Sequence, residues 1–198
     1  LASLKLDRWR AAINAAEPVH GHTMRAFADA FASAGFRHAS FAPAYGLAEA
    51  TLFVAGKRHD QAPALIDCDR AALEQERRLR RGDGAQLAAC GSVPPGLRLA
   101  IVDPASRLPL PAAAVGEIWI EGASVAQGYW RRPHETARDF QARLAEGSGG
   151  TWLRTGDLGA LADGQLVISG RLKDLIIIRG RNLYPQDIEL SARAADAA

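Results

Sequence analysis

Three short segments in the second half of the chain hold the residues best suited to chemistry: Thr155-Gly156-Asp157-Leu158, Gly170-Arg171-Leu172-Lys173-Asp174 and Arg179-Gly180-Arg181-Asn182. They set an acid, a permanently charged Arg and a glycine-flanked charged pivot around one short strand, Gln165 to Ser169. A carboxylate at Asp157 can accept both hydroxyls of a ribose, and Arg171 can reach a sugar or phosphate oxygen. The fork of a guanidinium suits that contact better than an ammonium. Glycine on either side lets the backbone turn sharply. The combination reads as a nucleotide site beside a hinge.

Elements that could position such a site follow from periodicity. Trp9 to Asn14 reads as a short buried strand leading into a turn at Ala16-Glu17-Pro18. Met24, Phe27, Ala28 and Phe31 recur at helical spacing within Gly21 to Ala34, and Gly35 ends the run. A second strand is expected at His38 to Ala42, then a loop carrying Tyr45. Strand, helix, strand is the rhythm of an open α/β layer, whose ligands sit beyond the carboxyl ends of the strands. Charges crowd the stretch from Gly56 to Gln86, which reads as a solvated loop with a short surface helix over Asp69 to Leu79. Beyond Gly91, runs at Leu97–Asp103, Gly116–Gly122 and Gly164–Gly170 that alternate or stay apolar, bounded by Gly, Pro or Asp, predict a small antiparallel β-barrel or sandwich. Pro133 to Leu144 reads as an intervening helix, Leu175 to Arg179 as a buried strand, and Asp187 onward as the start of another helix. The fold class is therefore mixed α/β.

The wording of two segments adds to this. Tyr45-Gly46-Leu47-Ala48-Glu49-Ala50-Thr51-Leu52, and Gly170 through Glu189 with its Arg-Leu-Lys-Asp-Leu-Ile-Ile-Ile-Arg-Gly-Arg-Asn run, resemble the fatty acyl-AMP ligases of the adenylate-forming superfamily. That superfamily also includes acyl-CoA synthetases, amino-acid adenylation domains and luciferases. Two long motifs in the expected order are far more specific than a lone glycine pattern. The resemblance implies four regions: 1–56 as the end of an α/β adenylate-binding subdomain, 57–90 as an insertion and linker, 91–170 as a barrel-like subdomain, and 171–198 as a hinge and the start of a C-terminal domain.

It also implies roles. Ala16 and Glu17 would flank the adenine, although alone they read as an ordinary strand-ending turn. Tyr45 would stack the base and Gly46 would admit the ligand to the backbone; in isolation the tyrosine reads as a packing residue. Glu49 would ligate Mg²⁺, a hard cation that favours carboxylate oxygen. Asp157 would hold the ribose, and Ile168 would touch the adenine or simply fill the core. Lys173 would be the hinge about which a C-terminal domain turns. The implied activity uses ATP and Mg²⁺ to convert a fatty acid to acyl-adenylate, with transfer to the phosphopantetheine arm of an acyl carrier protein. A phosphate-binding loop is expected upstream of Leu1 and the catalytic lysine downstream of Ala198, so the 198 residues alone are expected to be inactive. Alternatives are an acyl-CoA synthetase, an amino-acid adenylation domain, or a non-catalytic docking piece.

Composition narrows the remaining classes. A net charge of +2 gives no electrostatic reason to bind nucleic acid or an anionic membrane. The uninterrupted apolar runs, Leu175 to Ile178 among them, are too short to span a bilayer. The two cysteines, Cys68 and Cys90, lack metal-ligand spacing and fit a reduced cytoplasmic compartment. The chain opens at Leu1 rather than Met and closes on a small-residue tail, Ala192 to Ala198, which reads as a piece of something longer. The histidines, His59 among them, are scattered and read as surface or turn residues.

Overall fold

The computed structural model describes residues 4–58, 61–147 and 149–196; His59 and the last two residues of the alanine-rich tail lie outside them. The first layer is a three-stranded sheet of β1 (Ala12–Asn14), β2 (Phe41–Leu47) and β3 (Leu52–Gly56), with α1 (Gly21–Phe31) between β1 and β2. β1 and β2 run parallel, as a strand–helix–strand unit requires. The apolar face of α1, through Met24 and Ala28, packs with Phe36 and Phe41. Tyr45 is on β2 rather than in a loop, a correction to the sequence reading. The strand continues because β3 returns antiparallel beside it, supplying partners as far as Leu47.

The charged stretch is also more ordered than its composition implied. It forms β4 (Leu65–Asp69), α2 (Arg70–Gln75) and β5 (Gly84–Ala88), with β4 and β5 paired antiparallel. Asp69 caps α2, its side chain accepting from the Ala72 amide at 3.1 Å. Ile66 and Cys68 point inward between outward acids, and with Leu73 and Leu79 they join a buried cluster containing Leu158 and Val167. Burying this face makes the segment part of the core rather than a solvated loop.

The largest sheet is an antiparallel meander of β6 (Leu97–Val102), β7 (Gly116–Gly122), β8 (Leu153–Ala162) and β9 (Gln165–Arg171), in that order. Among the described residues β6 and β9 do not pair, so this is an open four-stranded sheet and not the barrel expected. Both faces are covered: Ile118 and Ile120 pack toward Tyr45 and Leu153, while Trp119 packs with Val102 and Trp152. Burial on both sides explains why β7 reads as a continuous apolar run after Glu117. α3 (Pro133–Phe140) begins on proline, whose missing N–H costs nothing in a first turn, and it buries Phe140.

β10 (Ile176–Ile178) and β11 (Arg181–Leu183) form a hairpin closed by Arg179-Gly180, both at positive φ, and α4 (Pro185–Asp196) follows. The three isoleucines of β10 are exposed, contrary to the buried strand expected. Among the described residues β10 pairs only with β11, which is the strand that meets the body, so β10 is left on the outside. The meeting is polar: the Arg181 guanidinium donates to the buried Glu74 carboxylate, and Asn182 Nδ2 donates to the Glu74 carbonyl at 2.7 Å. Arg70 adds an ion pair to Asp187 at 3.0 Å. No helix among the described residues is long and apolar enough to cross a membrane.

Candidate functional site

Asp157 is the centre of the site. Its Oδ2 accepts from the Tyr45 hydroxyl at 2.7 Å and its Oδ1 from Arg171 Nε at 2.9 Å. Asp157 and Arg171 are directly opposite each other on β8 and β9, so the sheet register itself creates the pair. The carboxylate is mostly buried while the guanidinium is half exposed, which leaves the cation free to meet a ligand. Burial, reinforced by the Asp157 charge, pushes the Tyr45 hydroxyl far above its ordinary range, so it stays protonated and donates. The Tyr45 ring is only 8% exposed and packs in the main core cluster, so it does not stand open as a free stacking face.

Gly46 follows at a break in the β2–β3 register. A Cβ there would lie 1.6 Å from the Leu52 carbonyl oxygen, so the crowding that demands glycine comes from the chain itself. Glu49 sits in the short helical turn Ala48–Ala50 just beyond β2. Its Oε1 accepts from the Tyr129 hydroxyl at 2.7 Å, and its backbone carbonyl accepts from the Ala126 amide at 2.8 Å. Tyr129 was not legible as a site residue, because its partner lies eighty residues away in sequence. Partial burial and the Glu49 contact push its hydroxyl up to about 12.

The two carboxylates flank one apolar cluster. It holds Tyr45, Ala50 next to Glu49, and Phe140, which meets the Tyr129 ring edge-on at 5.0 Å; Ile168 packs at its margin. Ala16, at positive φ, and Glu17 are exposed on the turn after β1. Asn14 opposes Pro43 on the parallel strand, so this turn and Tyr45 lie at the same end of the β1–β2 pair. Lys173 is exposed in the turn between β9 and β10.

Among the described residues no group of three or more His, Cys, Asp or Glu could cage a metal. A lone carboxylate with one oxygen already engaged does fit Mg²⁺, which keeps its waters and is held by one or two carboxylates plus substrate phosphates.

The chain belongs to the AMP-binding enzyme family, whose model matches residues 2–130. It is 45% identical, over 96% of its length, to a medium-chain-fatty-acid–[acyl-carrier-protein] ligase of Moorena producens. It is 42% identical, over 98% of its length, to a long-chain-fatty-acid–AMP ligase of Mycolicibacterium smegmatis. Among solved structures, a fatty acyl-adenylate ligase of L. pneumophila in complex with acyl adenylate and pyrophosphate matches with a TM-score of 0.82 at 41% identity, over 96% of this chain and 33% of that one. A structure from a study of such ligases from E. coli and L. pneumophila matches with a TM-score of 0.87 at 36% identity, over 98% of this chain and 34% of that one. The chain spans about a third of the length of the curated relatives it matches, 33% of each of the two named.

Proposed function

We propose that the full-length protein carrying this chain activates a fatty acid with ATP to an acyl-adenylate and delivers the acyl group to the phosphopantetheine thiol of an acyl carrier protein, with AMP as the leaving group. The observation that carries this reading is the Asp157 carboxylate, held by Tyr45 and Arg171 at the end of the α/β layer. The fatty acid carboxylate attacks the α-phosphorus and pyrophosphate leaves, so the protein's task is positioning and charge stabilisation. Asp157 takes the ribose hydroxyls, exchanging present partners for ligand donors, and Arg171 meets a ribose or phosphate oxygen. Ala16, Glu17, Tyr45, Gly46 and Ile168 border the adenine. Mg²⁺ on Glu49 would neutralise phosphate charge, and Lys173 serves as the hinge. Cys68 and Cys90, both buried and unpaired, suit a reducing cytoplasmic setting.

Fatty-acid-dependent ATP–pyrophosphate exchange by the purified full-length protein tests the first step, and acylation of a phosphopantetheinylated carrier protein tests the second. Exchange with amino acids instead of fatty acids, or no exchange at all, would reject the reading. Within this frame, Tyr129→Phe should raise the Mg²⁺ concentration for half-maximal exchange about 10-fold, the usual effect of losing a group that orients a metal ligand. An unchanged Mg²⁺ titration would remove Glu49 from the metal.

The Glu74 contacts with Arg181 and Asn182 support a further role for 57–90, as a restraint on rotation beyond Lys173. Such a restraint would disfavour free coenzyme A as acceptor. Deleting Lys57 to Gly84 from the full-length protein is therefore expected to raise acyl-CoA formation from fatty acid, ATP and CoA. An acyl-CoA yield equal to the parent's counts against the restraint.

A further inference from the structure

Glu117 is a charged side chain at 2% exposure in the middle of the structure, and the adenylation chemistry makes no direct use of it. Its neighbours explain its presence. Glu117 opposes Leu158 and Trp119 opposes Arg154, so two steps along β7 face four along β8. Thr155, Gly156 and Asp157 therefore face Ile118 alone, a surplus of two residues that bulges out of the β7–β8 ladder with Gly156 at a φ of +72°. A bulge of this kind re-aims a side chain and leaves backbone groups without ladder partners.

Glu117 supplies one missing partner, its Oε1 accepting from the Gly156 amide at 3.2 Å. Its Oε2 accepts from Trp119 Nε1 at 2.9 Å and from Arg154 Nη2 at 2.8 Å. Thr155 supplies the rest: its hydroxyl donates to the Ile118 carbonyl at 2.8 Å and accepts from the Asp157 amide at 3.0 Å. On the far side the Leu172 amide donates to the Gly156 carbonyl at 2.8 Å, tying the bulge to the end of β9. Three of these contacts hold the backbone of Gly156 and Asp157 directly, and the others anchor Glu117 to Trp119 and Arg154 and Thr155 to Ile118.

We propose that the Glu117 carboxylate, backed by the Thr155 hydroxyl, is a positioning residue that locks this bulge so that Asp157 can read both hydroxyls of the ribose. The assignment rests on Asp157 being the ribose contact. A carboxylate is required because both of its oxygens face donors: the Gly156 amide and Arg154 Nε on Oε1, at 3.2 and 3.3 Å, and the indole and Arg154 Nη2 on Oε2. Glutamine has a single oxygen. Whichever way its amide turns, one donor set meets another N–H, and the bulge loses either its Gly156 amide anchor or the indole and Nη2 contacts on the other oxygen.

The test compares ATP with 2′-deoxy-ATP in fatty-acid-dependent pyrophosphate exchange by the full-length protein, using wild type, Asp157→Asn, Glu117→Gln, Thr155→Val and Thr155→Ser. Wild type should prefer ATP by about 10- to 100-fold, the worth of a hydrogen bond from a ribose hydroxyl to a charged group. Glu117→Gln and Thr155→Val should each cut that preference about tenfold by raising KM for ATP, with KM for the fatty acid unchanged and Thr155→Ser close to wild type. A role in stability alone would lower Tm and the active fraction but leave the ATP to 2′-deoxy-ATP ratio of the folded protein where it was. That result in Glu117→Gln overturns the proposal. If Glu117→Gln does not fold, the Thr155 pair decides by the same ratio. If wild type shows no preference, or Asp157→Asn leaves it intact, the ribose reading itself has failed and takes this proposal with it. A preference lost in Asp157→Asn but kept in Glu117→Gln and Thr155→Val refutes only the positioning role.

Discussion

Asp157→Ala in the full-length protein is expected to lower kcat/KM for ATP about 100-fold, equal to about 2.7 kcal/mol of lost transition-state binding. Two hydrogen bonds from ribose hydroxyls to a charged acceptor are worth about 1.5–3 kcal/mol each, and the partial exposure of the site reduces the total. The change also takes away the acceptor of the Tyr45 hydroxyl, which is buried and held protonated by that burial. An unsatisfied buried donor costs about 1–3 kcal/mol, so Tm should fall by several degrees as well. Asp157→Asn separates the two effects. It retains an oxygen for Tyr45 and keeps most of the stability, but it loses the charge and one ribose acceptor. Pyrophosphate exchange and calorimetry on the same preparations measure both, and an alanine variant with unchanged kcat/KM for ATP would remove Asp157 from the nucleotide site.

Gly46→Ala should have the largest effect on stability of any single methyl added near the site. The new Cβ would meet the Leu52 carbonyl oxygen at 1.6 Å and its carbon at 2.7 Å, and neither belongs to a side chain that can swing away. β2 and β3 must part where Tyr45 leaves the regular register. Overpacking of a tight interior costs about 1–3 kcal/mol and more when backbone must move, so about 3 kcal/mol or above is expected here. Gly164→Ala provides the contrast. Gly164 has a φ of +74° but open space around it, so only backbone strain of about 1 kcal/mol should appear. Thermal unfolding of the two variants side by side reads the difference; equal Tm losses would contradict the β2–β3 geometry described.

Much of the architecture was legible because local signals and tertiary packing agreed. β7 occupies Gly116–Gly122 as its punctuation predicted, α3 starts on Pro133, and Asp69 caps α2. Errors fell where a distant partner decides. Tyr45 reads as loop because Pro43 and Gly46 surround it, yet β3 supplies a pairing edge that extends the strand past it. The inward Ile66 and Cys68 of β4 are hidden among charges, and their burial depends on Leu158 and Val167, far along the chain. Ile176 to Ile178 look like core by composition, but among the described residues their only strand partner is β11.

The site was partly readable for the same reason. Asp157 and Arg171 are fourteen residues apart on adjacent strands, so a hairpin reading already brings them together. Glu117 had a faint signal, an acid opening an otherwise apolar strand, but its partnership with Gly156 appears only once the register slips. Tyr129 gave none, since nothing between Gly128 and Trp130 points to Glu49.

The most direct measurement is a crystal structure of the full-length protein with a non-hydrolysable acyl-adenylate analogue. The account predicts both ribose hydroxyls within about 2.6–3.2 Å of the Asp157 carboxylate, with Arg171 on the ribose–phosphate side and the adenine bordered by Ala16 and Tyr45. An analogue bound with its ribose elsewhere, and Asp157 still closed on Tyr45 and Arg171, would contradict it.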